Sequence, residues 1–184
     1  VIPQDMPSEK PAVTPADILS KGFVFPLTAE RKPLIKWRTG SAKGISSFPS
    51  HKGPWGLDCG KSHLVVIDVD HKNGKADGLA NLWMLGDLPE TYTVRTRSGG
   101  LHIYFHNPAG CPAVANSASK LAPHIDVRGE GGFVVVYDDV VCSAPIAKLP
   151  DDLRLAMGTV IPKDDIPTDS LIILDQPKNI HAAI

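Results

Sequence analysis

The chain has 184 residues, 42% of them apolar and 21% charged, with 19 Lys and Arg against 20 Asp and Glu. That suffices for one domain with a sizeable core, and a net charge of -1 excludes both a basic nucleic-acid-coating protein and an acidic disordered tail. No apolar run approaches the roughly 20 residues of a membrane helix, and the start, VIPQDMPSEKPAV, has neither the basic end nor the apolar stretch of a signal peptide.

In chain order, residues 1–13 read as a flexible lead-in with three prolines. Thr14 is a helix N-cap, with Pro15 at the first helical position, Asp17 in the first turn and Gly22 at the end. Phe23–Leu27 reads as a strand, placed at a sheet edge because Pro26 lies within it. Residues 28–53 form a turn-rich basic loop carrying Arg31, Lys32, Lys36, Arg38, Lys43 and Lys52. Trp55–Cys59 reads as a short strand and Leu64–Val69 as a buried one. Asp77 caps a short helix to about Leu85, closed by Gly86. Thr91–Thr96 and Leu101–Phe105 pair as a hairpin around Ser98-Gly99-Gly100. Residues 107–123 read as a loop. His124–Val127 and Gly132–Tyr137 give two more strands, and Asp151–Met157 a short helix. Cys59, Cys111 and Cys142 are widely spaced and form no C-x-x-C, so ordinary thiols are expected and structural zinc is not.

Charge is unevenly spread. Residues 1–60 carry eight basic and five acidic side chains, and residues 61–140 carry seven and nine. That layout suits a carboxylate site with a basic lip, and equally an ordinary solvated surface.

Three motifs stand out. In LVVIDVDH, residues 64–71, a buried strand ends in Asp68 and Asp70, which share a face because strand side chains alternate. Neighbouring carboxylates repel, and a divalent cation between them relieves this; hard oxygen ligands suit Mg2+ or Mn2+. Taken alone, the pair also fits two acids in a surface turn. In TRSGGLHIYF, residues 96–105, glycines let backbone approach a ligand, and Arg97 and His102 can donate to phosphate. In HIDVRGEGGFVVV, residues 124–136, Asp126 and Arg128 share a strand face; they offer a third carboxylate and a phosphate contact. Each of these two also fits an ordinary glycine hairpin. GKS at 60–62 is no P-loop, since it precedes a strand and lacks the first glycine.

In this order, D-x-D at a strand end, S-G-G-x-H on a hairpin and I-D-V-R-G before another hairpin, the chain resembles the prim-pol domain. That is the N-terminal bifunctional primase/polymerase domain of the archaeo-eukaryotic primase superfamily. The likeness runs from about Phe23 to Val136. It takes in KPLIKW, WGLDCGKSHLVVIDVD, LPETYTVRTRSGGLHIYF and NSASKLAPHIDVRGEGGFVV. The segment WGLDCGKS departs from the family pattern and keeps only Gly56 and Gly60 clearly.

The resemblance implies an α+β fold: an archaeo-eukaryotic primase-like mixed or antiparallel sheet core with flanking helices and the active site in a cleft. It implies a catalytic domain over residues 1–144, with 145–184 a linker or accessory helical segment. It implies a template-directed nucleotidyltransferase, a DNA primase and/or polymerase of phage or plasmid replication, working with two divalent ions, Mg2+ or Mn2+. Asp68, Asp70 and Asp126 would hold those ions and catalyse. Arg97, Ser98, Gly99, Gly100, His102 and Arg128 would bind the nucleotide. The basic residues Arg31, Lys32, Lys36 and Arg38 would track nucleic acid. The implied partners are DNA template and primer, NTP or dNTP, and a helicase domain in the full-length protein, with no membrane and a place in the cytoplasm of a bacterial or archaeal cell. Two other classes stay open. One is a D-x-D phosphohydrolase or glycosyltransferase, which would not need S-G-G-x-H or D-V-R-G. The other is a non-catalytic nucleic-acid-binding module, which would bind DNA without metal.

Overall fold

Thr14 starts the fold as its sequence suggests. Its side chain accepts from the Asp17 N–H, and Asp17 bonds back to the Thr14 N–H in a capping box that opens α1, Pro15–Lys21. The computed structural model describes residues 12–72 and 76–159. Within them follow β1 (Phe23–Pro26), α2 (Trp37–Gly40), β2 (Ala42–Lys43), β3 (Trp55–Asp58), β4 (Leu64–Val69), β5 (His71–Lys72) and β6 (Ala76–Asp77). Next come α3 (Gly78–Asn81), β7 (Thr93–Arg95), β8 (Leu101–His106) and β9 (Ser117–Ala122). The chain closes with β10 (Ile125–Arg128), β11 (Phe133–Val135), β12 (Val140–Cys142), β13 (Ala147–Lys148) and α4 (Asp151–Met157).

The protein is α+β. A larger sheet runs β12-β7-β8-β4-β10-β9, antiparallel throughout, with β13 added parallel to β8. A smaller antiparallel sheet runs β11-β3-β1-β2. Strand alternation on β4 assigns its residues to two environments. Val65, Ile67 and Val69 join Ile103, Phe105, Ile125 and Val127 in a core closed by Leu153 and Met157 of α4. Leu64 and Val66 point the other way, into a second core with Tyr104, Val24 and Leu57 between the two sheets. A third cluster, Phe25, Leu27 and Trp37, has Phe133 packed against it.

Several expectations change. β1 is an interior strand, between β3 and β2. Pro26 is tolerated there because β2 pairs only with Phe23 and Val24, so no β2 ladder position exists for the missing N–H. Residues 107–123 are not all loop: β9 pairs with β10, although SASKLA is poor in strand formers and its central residues are exposed. The basic 28–53 segment contains α2, β2 and a 3₁₀ turn at Ile45–Ser47. The short helix after Asp77 is α3 followed by a 3₁₀ turn, Leu82–Leu85, with Gly86 at its end and the Asp77 side chain accepting from Ala80 N–H.

Residues 147–157 belong to the same packed body. β13 pairs with β8, Leu149 is fully buried, and the buried Arg154 of α4 bonds to Asn107 and to the Leu149 carbonyl. Of the lead-in, residues 1–11 lie outside the described residues, while the Val13 N–H donates to the Ser143 carbonyl at 2.8 Å. Residues 160–184 lie outside the described residues too.

Candidate active site

The site begins with register. On β4, Asp68 is the Cα partner of Asp126 on β10 and of His102 on β8, so Asp126, Asp68 and His102 form one row across three adjacent strands. Alternation puts Arg128 on the face of Asp126, two residues on. Asp70 follows the end of β4. Opposed like charges on neighbouring strands are unfavourable, and the side chains resolve it locally. Arg128 Nε lies 3.3 Å from Asp68 Oδ2, and Nη2 lies 2.7 Å from Asp126 Oδ2. His102 Nε2 lies 3.3 Å from Asp68 Oδ1. The Ser119 N–H donates to Asp126 Oδ1 at 2.9 Å, from a backbone turned to φ 49°. The β9–β10 register shifts between Ile125 and Val127, the kind of irregularity that re-aims a side chain at a site.

These contacts set the electrostatics of Asp68. Burial pushes its carboxyl upward, but the His102 hydrogen bond and the charges of His102 and Arg128 outweigh that and hold it below the usual carboxylate range. His102 is 5% exposed, and its second ring nitrogen, Nδ1, is buried without a protein partner. A buried polar atom left unsatisfied is costly, and a ligand atom can satisfy it.

A cavity of about 480 Å³ opens over this row, with a side from each sheet. The larger sheet contributes Asp68, Asp70, His102 and Arg128, together with Thr96 and Ser98 of the β7–β8 turn. The smaller sheet and α2 contribute Trp37, Arg38 and the stretch Gly131–Val135. The Arg38 guanidinium lies 4.8 Å from the Trp37 ring centre, and Nη2 donates to the Gly131 carbonyl at 3.4 Å. Tyr137 also lines the cavity; its ring centre is 5.5 Å from that of His102 and 5.6 Å from the Arg31 guanidinium.

Of the expected site residues, Asp68, Asp70, Ser98, His102 and Arg128 line the cavity, and Arg38 does so from the other side. Asp126 does not line the cavity and joins the site through its ion pair with Arg128. Arg97 is exposed in the turn and does not line the cavity. The glycines of that turn act on the fold first: a Cβ at Gly100 would collide with the Val69 carbonyl, so Gly100 lets the turn close onto the end of β4 beside Asp70. Lys32 and Lys36 are exposed away from the cavity, and Arg31 reaches it through Tyr137. Sequence reasoning missed Thr96, Asn116 and Tyr137. Asn116 packs against Gly132, where a Cβ would strike its side-chain oxygen, a contact between residues 16 positions apart that the sequence does not signal.

Among the described residues no three His, Cys, Asp or Glu side chains converge as a metal cage. The donor chemistry nonetheless fits a hard divalent cation. Two carboxylates already share a positive charge, the Arg128 guanidinium, and a third, Asp70, lines the same cavity with no hydrogen bond from the described residues.

A family model described as bifunctional DNA primase/polymerase, N-terminal (Prim-Pol), matches residues 16–152. This chain belongs to the Prim-Pol family. Nucleotidyl transfer and a primase/polymerase-type role in replication are therefore its general function, and the family is generally metal-dependent. No curated protein matches the chain. The matched span covers every strand of both sheets and the start of α4, and so the whole Asp126–Asp68–His102 row. No helix among the described residues is long and apolar enough to cross a membrane.

Proposed function

We propose that this Prim-Pol domain is a template-directed nucleotidyltransferase, a DNA primase and/or DNA polymerase of phage or plasmid replication, with the carboxylate row as its catalytic centre. The observation that carries the reading is the Asp126–Asp68–His102 row, opening with Asp70 and Arg128 into a cavity that has a cationic and aromatic far side.

Each residue has a physical task. Asp68, Asp70 and Asp126 are the ligands for a pair of Mg2+ or Mn2+ ions. Bound there, the ions would stabilise charge on the attacking hydroxyl and the leaving pyrophosphate. Arg128 and His102 donate to triphosphate oxygens, and Ser98 in the glycine turn shapes the entry beside them. Trp37 and Arg38, on the far side of the cavity, would take a base by stacking and a backbone phosphate of template or primer by charge. Residues 12–159 act as one catalytic unit, since α4 closes the core beneath β4. A helicase domain in the full-length protein remains part of this proposal.

The test is a combined priming and primer-extension assay with ribo- or deoxyribonucleotides and Mg2+ or Mn2+. Product should form only with a template and a divalent ion, and Asp70→Ala should abolish it. Template-independent release of phosphate from small esters would assign the site to a phosphohydrolase instead, and DNA binding without incorporation would assign it to a binding module.

A further inference from the structure

We propose that Arg128 is the resident counter-ion of the carboxylate pair, and that divalent ions enter by displacing its guanidinium, which is then released toward the anionic ligand. The inference deepens the proposed function and rests on its assignment of Asp68 and Asp126 as ion ligands.

Four carboxylate oxygens decide the matter. One on each side chain has a fixed partner: Asp68 Oδ1 faces His102 Nε2 and Asp126 Oδ1 accepts from Ser119 N–H. The remaining two, Asp68 Oδ2 and Asp126 Oδ2, both face a single guanidinium. A cation that bridges the two carboxylates must take these oxygens from Arg128. The pair is largely shielded from solvent, with Asp68 and Asp126 side chains 20% and 13% exposed, so the competition takes place where charge pairing is strong.

Arg128 itself has somewhere to go. It also lines the cavity, and its side chain is 28% exposed. A guanidinium matches phosphate oxygens in the same two-pronged geometry as carboxylate oxygens. The same fork thus serves two anions in turn. Before loading it offsets one of the two negative charges of the row and keeps two opposed carboxylates compatible with a folded sheet. After loading it faces the cavity. By linkage, a ligand that draws Arg128 outward strengthens ion binding, and bound ions strengthen the ligand.

The test is calorimetric titration of the folded protein with Mn2+ alone, with no nucleotide or DNA. Arg128→Gln is expected to bind Mn2+ about tenfold or more tightly than wild type, the size set by removing a charge-assisted competitor. Arg38→Gln removes an equal charge from the same cavity without touching the carboxylates, and should change affinity much less. Asp68→Asn should abolish binding. Equal or weaker binding by Arg128→Gln, with Asp68→Asn still abolishing it, would overturn the proposal and leave the proposed function standing. A gain from Arg38→Gln as large as that from Arg128→Gln would overturn it too, since a general field would explain both. If wild type and variants all fail to bind Mn2+, the carboxylate reading of the function falls, and this proposal with it.

If Arg128→Gln does not fold, wild type decides. The Arg128 Nε–H resonance, assigned by its loss in Arg128→Lys, should shift and exchange faster with solvent as Mg2+ saturates. A resonance unmoved at saturation would overturn the proposal.

Discussion

The two sides of the cavity are built by different rules. The larger-sheet side comes from neighbouring strand positions: β4, β8 and β10 place Asp68, His102 and Asp126 in one row, while alternate residues of the same strands fill the core. The other side is assembled across the chain. Trp37 and Arg38 come from α2, and Arg38 meets the Gly131 carbonyl 93 positions later. Its aromatic residues also hold the fold: Trp37 stacks on Phe25 at 5.4 Å between ring centres, and Phe133 meets both edge-on. The proposed chemistry is therefore separable from core packing on the first side and fused with it on the second.

The largest effects test that separation. Asp68→Asn is expected to lower nucleotide incorporation by at least about 10³-fold while the protein still unfolds in one cooperative step, because Ile67 and Val69 keep their core contacts. Phe25→Ala removes a fully buried ring beneath Trp37 and should cost about 3–5 kcal/mol of stability in denaturant titration. Its activity loss should follow the fraction folded together with a looser Trp37. If Asp68→Asn melted as early as Phe25→Ala, or Phe25→Ala left activity untouched at low temperature, the contrast between the two sides would fail.

The same contrast explains what could be read in the sequence. Strand residues are legible because a period of two is local: LVVIDVD puts Asp68 and Asp70 at a strand end, and HIDVR puts Asp126 with Arg128. Helix ends are local as well, so the Thr14 cap and the Asp151–Met157 helix emerge from single signals. β9 was hidden because its pairing, not its composition, makes it a strand. Pro26 suggested an edge because the shortness of β2 cannot be inferred from β1. The far side of the cavity was largely illegible for the same reason. Nothing within residues 36–38 states that they will meet residues 131–135, and Tyr137 lies two residues past the end of β11 with no mark that its ring turns toward His102.

His102 sharpens the comparison at a smaller scale. It touches Asp68 through Nε2 and leaves Nδ1 buried and free, so it can serve phosphate, the row, or both. His102→Ala should weaken apparent nucleotide affinity about tenfold or more at saturating divalent ion, the loss of one charge-assisted hydrogen bond. Affinity unchanged with ion binding collapsed would make His102 a positioning residue for Asp68 instead. The pH dependence is a milder probe of the row. The Asp68 pKa is lower folded than unfolded, so its pairing contributes stability that is full above the ordinary carboxylate value of about 4 and fades as pH falls through the lower folded value. The stability gap between wild type and Asp68→Asn should therefore narrow only below about pH 4. A gap that closed nearer neutral pH would mean that the His102 and Arg128 contacts do not dominate over burial.

The smallest effect concerns the rim. Among the basic residues expected to meet nucleic acid, Arg38 lines the cavity, Arg31 lies over Tyr137, and Lys32 and Lys36 are exposed outside it. With a net charge of -1 the chain has no broad attraction for DNA, so binding should be weak and steep in salt. Removing one bound phosphate from the interface reduces the slope of log affinity against log salt by about 0.7–0.9. Arg38→Gln should remove one such unit. Neutralising Lys32 and Lys36 together should remove less than Arg38→Gln does, since surface lysines away from the cavity meet the strand only in passing. A larger change from the lysine pair than from Arg38 would move the nucleic-acid path off the cavity and along the outer face of residues 28–36. Binding indifferent to salt would shift the explanation from charge to stacking, with Trp37 the ring to replace next, because base stacking persists when phosphate charges are screened.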